Sequence, residues 1–144
     1  MGVSMKGDVI PSADHVARYC KPKTVADGVI QATAFMLRPN DEGLSVNWLE
    51  YLECTDRAAE IRELQRVFAR KMSVGVTAKF AVLNVGKMIE TVERESLDNR
   101  KLTASHQPEA NDNSHSEIFG LRHDDDTIAE LMVELIEGSY SARP

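Results

Sequence analysis

Aromatic side chains are scarce in this 144-residue chain, which holds four Phe, three Tyr and one Trp, so aliphatic residues and Met must fill most of any core. Only two cysteines occur, Cys20 and Cys54, 34 residues apart with no CxxC partner, which leaves at most one disulfide and no multi-bridge scaffold. Both are expected to be reduced thiols. No apolar run approaches the roughly 18 residues needed to cross a bilayer, and no membrane role is expected. Met1 to Asp8 carries no apolar stretch of the secretory kind, so the expected location is cytoplasmic. Gly28, Gly43, Gly75, Gly86 and Gly120 stand alone, so no glycine-rich loop is available to cradle phosphate. HExxH, zinc-finger and EF-hand patterns are missing too, as is any recognisable Ser or Cys nucleophile motif.

What remains is 42% hydrophobic and 28% charged, with a formal charge of −6. That length and apolar content suit one domain, expected over residues 10–138, with a flexible lead at 1–9 and a flexible tail at 139–144. The charge is segregated. Residues 57–71 carry five cations against two acids, whereas residues 124–137 carry six carboxylates and no cation.

Hydrophobic periodicity predicts the elements. His15 to Cys20 fits either a short helix or a strand, ended by Pro22. Val29 to Leu37 reads as a strand, joined through Pro39-Asn40-Asp41-Glu42-Gly43 to a second strand with Leu44, Val46 and Trp48 inward, a β-hairpin. Ile61, Leu64, Phe68 and Met72 form the stripe of an amphipathic helix that Thr55 or Asp56 can cap. Val74 to Val85 reads as extended, with Val76, Ala78, Phe80 and Val82 on one face. A short helix follows around Met88, Ile89 and Val92. Leu102 to Ser105 and Ile118 to Leu121 read as short strands around a surface loop, Gln107 to Ser116. Thr127 and Glu130 suggest a capping box for a last helix running to Gly138. The sum is an α+β fold: a small, mainly antiparallel sheet with two or three helices packed on one side.

Four groups of residues are candidates for chemistry. His15, Arg18 and Tyr19 combine a proton shuttle with an anion clamp. Trp48 with Glu50 and Glu53 sets carboxylates beside an apolar ring, where a raised pKa would suit a base. His106, Asp112, Asn113, His115 and His123, with Asp124 to Asp126, mix imidazole and carboxylate in a loop-rich stretch. Their spacing matches no metal signature, so no metal ion and no cofactor is assigned. Arg62, Arg66 and Arg70 form a basic stripe on the middle helix, and Glu130, Glu134 and Glu137 an acidic face on the last.

Two functions follow as expectations. The leading one is a binding or accessory protein whose charged helices meet another protein or a second copy of itself through Arg62, Arg66, Arg70, Glu130, Glu134 and Glu137. The alternative is a small enzyme for a phosphate-containing or nucleotide substrate. There His15 or His115 would move the proton, Glu50 would orient it or act as base, and Arg18, Tyr19 and Arg38 would bind substrate. Net negative charge argues against nucleic acid, with the arginine stripe the one surface suited to it.

Overall fold

The computed structural model describes residues 6–144. Of the lead expected at 1–9, residues 1–5 lie outside the described residues. Gly7 to Val9 run alongside a sheet strand, through Gly7 N–H to His106 O (2.6 Å) and a bridge from Val9 to Ser105.

The elements in chain order are β1 (His15–Cys20), β2 (Val25–Ala26), β3 (Val29–Ile30), β4 (Gly43–Trp48), α1 (Arg57–Lys71), β5 (Lys79–Asn84), α2 (Val85–Glu95), β6 (Thr103–His106), β7 (His115–Phe119), α3 (Asp126–Glu134) and β8 (Gly138–Ser141). Three 3₁₀ turns, Pro22–Thr24, Ala32–Phe35 and Glu50–Leu52, punctuate them. Six strands form one antiparallel sheet in the order β6-β7-β4-β1-β5-β8, and β2 pairs with β3 apart from it. The fold is α+β.

Alternation along the strands sorts side chains between two cores. Val16, Cys20, Val46, Ala81 and Leu83 point to one, covered by α2, α3 and the Ala32–Phe35 turn. Ala17, Phe80 and Val82 point to the other, where Ile61, Leu64 and Phe68 of α1 close over them. Full burial of such side chains is worth about 1.5–3 kcal/mol each. Two helices thus share one face, and α1 takes the opposite one.

Asp56 caps α1 by accepting from Ala59 N–H at 2.9 Å, while Arg70 and Lys71 sit in the last turn, where cations offset the exposed carbonyls. Met72 ends up exposed rather than buried. Asn84 ends β5 and at once caps α2, accepting from Lys87 N–H at 2.9 Å.

Several expectations are corrected. Val29 to Leu37 is not a strand paired with β4. It is apolar on both faces, a pattern that fits any buried element, and after two strand residues it turns into 3₁₀ geometry so that Ala34, Phe35 and Leu37 pack inward while Val29 faces water. The neighbours of β4 are β1 and β7. Extended structure over Val74 to Val85 shrinks to Lys79–Asn84, with Val76 exposed. The predicted surface loop at 107–116 gives up its end to β7, and Asp112, Ser114 and Ser116 are buried. No capping box forms at Thr127, because α3 starts at Asp126 and ends at Glu134, short of Gly138. The Asp125 carboxylate instead holds Arg100 (2.5 Å) and Arg122 N–H (2.5 Å). Gly138–Ser141 form the edge strand on β5, which takes in residues 139–141 of the tail expected to be flexible, and Ala142 behind them is buried.

Candidate functional site

The first residue of β1 meets the turn that follows β4. Leu49 N–H donates to His15 O (3.0 Å), which sets the Glu50–Leu52 turn against the start of β1. The Glu50 carboxylate then accepts twice from one residue, from His15 N–H (2.7 Å) and at His15 Nδ1 (2.7 Å). A carboxylate only accepts, so Nδ1 carries the proton and Nε2 is left to exchange one. Nε2 faces Glu137 Oε1 at 3.5 Å, and Lys87 Nζ lies 3.8 Å from the other oxygen of Glu137. Next door, Asp14 accepts from Trp48 Nε1 at 2.9 Å. Glu53, exposed and in left-handed backbone geometry (φ 55°), takes no part.

The other residues proposed for substrate do not join this pair. In a strand, neighbouring side chains alternate, so Arg18 leaves the sheet on the face opposite His15. Its Nε donates to Ala34 O (2.8 Å) and its Nη1 to Ser45 O (2.9 Å), filling the gap where the β1–β4 ladder stops. Burial is the main influence lowering its pKa, since water no longer stabilises the cation. Tyr19 stacks on Phe68 with ring centroids 5.1 Å apart, beneath α1, and is a packing residue. Arg38 is exposed and pairs with Asp41 (2.8 Å), a hydrogen bond that holds the Asp41 carboxyl below its usual range.

His115 stands in a second polar cluster, on the face that α1 partly covers. Cross-strand register puts Ala17, Asn47 and His115 side by side, with Ser45 and Glu117 one step along. His115 Nδ1 bonds Gln107 O (2.8 Å) and Nε2 bonds Ser45 Oγ (3.1 Å). The buried Asp112 carboxylate accepts from Lys71 Nζ (2.7 Å) at the end of α1 and from Asn47 Nδ2 (2.8 Å). His106 packs against Trp48 and Tyr51, with Nε2 on Asn113 O (2.7 Å). His123 is exposed. Among the described residues, no group of three or more His, Cys, Asp and Glu is disposed to hold a metal ion.

The charged helices present their faces as follows. Arg62, Arg66 and Arg70 are all exposed, and Arg66 pairs with Glu63 one turn earlier. Arg62 and Arg70 carry no ion pair among the described residues. Glu130 and Glu134 are exposed on α3, likewise without an ion pair among the described residues. Glu137 does not share their face: it lies beyond the helix, its N–H donates to Val82 O (2.8 Å), and its carboxylate belongs with His15 and Lys87. Sequence reasoning missed Ser45, Glu109 and Lys71. Each acquires its partner through sheet pairing or helix docking, and no local pattern marks them.

No protein-family model, curated protein or solved structure matches this chain. Among the described residues no helix is long and apolar enough to cross a membrane.

Proposed function

We propose that this is a small binding or accessory protein that engages another protein, or a second copy of itself, through α1 and α3. The observation that carries the reading is the placement of Arg62 and Arg70 on one side of the sheet and Glu130 and Glu134 on the other, all four without an ion pair among the described residues. Charges without internal partners add little to folding but steer a complementary surface and set its register. Because the two patches lie on opposite faces, one copy's α1 can meet the next copy's α3 head to tail.

Sedimentation velocity at about 20 mM and about 500 mM salt is the test, since the higher salt screens such contacts beyond a few ångströms. Self-association that fades with salt, is lost in Arg62→Glu/Arg70→Glu, and returns when that variant is mixed with Glu130→Lys/Glu134→Lys supports the second-copy form. A monomer at both salts, with no protein partner captured at low salt that the charge reversals release, refutes the reading.

A second reading rests on the His15–Glu50 contact. In it the protein is a small enzyme for a phosphate-containing or nucleotide substrate, His15 Nε2 transfers the proton, Glu50 orients the ring, and Lys87 is the neighbouring cation. Calorimetric titration with nucleoside mono-, di- and triphosphates, comparing wild type with His15→Gln, tests it. Absence of binding to any of them removes it.

A further inference from the structure

We propose that Ser45, His115 and Glu109 form a nucleophile–base–acid constellation that cleaves neutral carboxylic esters. The hydrogen bonds determine the direction of proton flow. Gln107 O can only accept, so His115 Nδ1 carries the proton and Nε2 accepts from the Ser45 hydroxyl at 3.1 Å. That is the orientation a general base needs toward its nucleophile. The imidazole is buried, with 8% of its side chain exposed, so its position is fixed; Ser45 is exposed, so its oxygen is open to an incoming substrate. Glu109 Oε2 lies 3.8 Å from Nδ1, close enough to stabilise the imidazolium that forms as the proton transfers. Lys71 Nζ, 3.6 Å from the other oxygen of Glu109, holds that carboxylate near Nδ1.

The surroundings select the substrate. Glu117 is the cross-strand partner of Ser45, and its carboxylate reaches over Gly43, where a Cβ would meet Glu117 Oε1 at 2.5 Å. With Glu117 beside the serine and Glu109 on the Nδ1 side of the imidazole, a phosphate or other anion is disfavoured and an uncharged ester is admitted. In the reaction Ser45 Oγ bonds to the ester carbonyl carbon while its proton passes to His115 Nε2. The carbon–oxygen bond to the alcohol breaks, and the alcohol leaves with that proton. Water then repeats the sequence: His115 takes its proton, hydroxide adds to the acyl carbon, and Ser45 departs with the proton restored as the carboxylic acid is released.

The test uses the full-length chain with p-nitrophenyl acetate, and in parallel a fluorophosphonate probe, which phosphonylates an activated serine with release of fluoride. The expected result is one phosphonyl group per chain, mapped to Ser45 by peptide mass spectrometry and lost on urea unfolding before labelling. Ser45→Ala, at an exposed position, keeps the fold and loses both label and turnover. His115→Asn slows turnover about 100-fold. Glu109 is a positioning residue, so Glu109→Gln lowers kcat about 10-fold with KM unchanged, and Glu109→Asp recovers part of it. If His115→Asn does not fold, the Glu109 pair tests the base alone. Wild type without label at Ser45, label at an equal rate in Ser45→Ala, or Glu109→Gln with unchanged kcat overturns the proposal.

Discussion

Replacing Lys71 by Met isolates the most deeply buried charge described. The Asp112 side chain is 1% exposed, and three groups satisfy it: Lys71 Nζ at 2.7 Å, Asn47 Nδ2 at 2.8 Å and Ser114 Oγ at 3.4 Å. Lys71 is the only one of the three that is charged. Met keeps most of the stem volume and removes the ammonium, leaving a carboxylate in low dielectric with two neutral donors. Breaking such a pair from one side costs about 3–5 kcal/mol. The ammonium also lies 4.8 Å from the Phe68 ring centroid, a contact worth about 0.5–1 kcal/mol that goes with it. Asp112→Asn is milder, about 1.5–3 kcal/mol, because Lys71 is 17% exposed and can turn toward Glu109. The double variant removes both charges, so it falls short of the sum of the singles by about 1.5 kcal/mol or more. Urea denaturation followed by circular dichroism, with equal m-values across the four proteins, measures the cycle. A loss under about 1 kcal/mol for Lys71→Met, or strict additivity, would refute the claim that this contact ties α1 to the loop before β7.

Cys20 is 1% exposed, and burial pushes its thiol from an ordinary 9.0 up to about 11. A thiol reagent at about pH 8 should therefore modify Cys54 in the native protein and both cysteines only after unfolding. The unfolded chain releases the Cys20 proton first, so its contribution is whole below pH 9 and disappears by pH 11, a loss of the order of 2 kcal/mol that Cys20→Ala abolishes in alkaline denaturation. Arg100, 11% exposed, joins Asp125 (2.5 Å) before α3 to Asp98 (2.8 Å) and Gly120 O (2.9 Å). Arg100→Ala should cost about 3 kcal/mol in a thermal melt and Arg100→Lys less, since a lysine keeps the charge but not the planar fork.

The sequence carried those parts of the fold that local chemistry decides. The stripe Ile61, Leu64, Phe68 and the cap at Asp56 mark α1, and Ala78, Phe80 and Val82 share a face as their spacing requires. The misreadings have a common cause. Val29 to Leu37 and the start of α3 are decided by partners distant in sequence: Phe35 by packing against α3, and Asp125 by Arg100, which takes the carboxylate a cap would have used. Functional residues divide the same way. His15 and Glu50 stand out by their chemistry and do meet, although 35 residues separate them. Arg18 has the chemistry for the same site, but alternation along a strand sends it to the other face. Ser45 became visible only once β4 lay beside β7 and brought it to His115, 70 positions away.

The order of the large sheet shapes how the chain can be made. Its first strand, β1, ends in the interior of the sheet, flanked by β4 and by β5; β7 and then β6 lie beyond β4, and β8 borders β5. During synthesis Val16 and Cys20 wait uncovered until α2 and α3 have emerged, and the outer margin of β5 stays open until residues 138–141 arrive. A ribosome stalled ahead of Gly138 would hold a chain with a bare strand margin, prone to pair with its neighbours on a polysome.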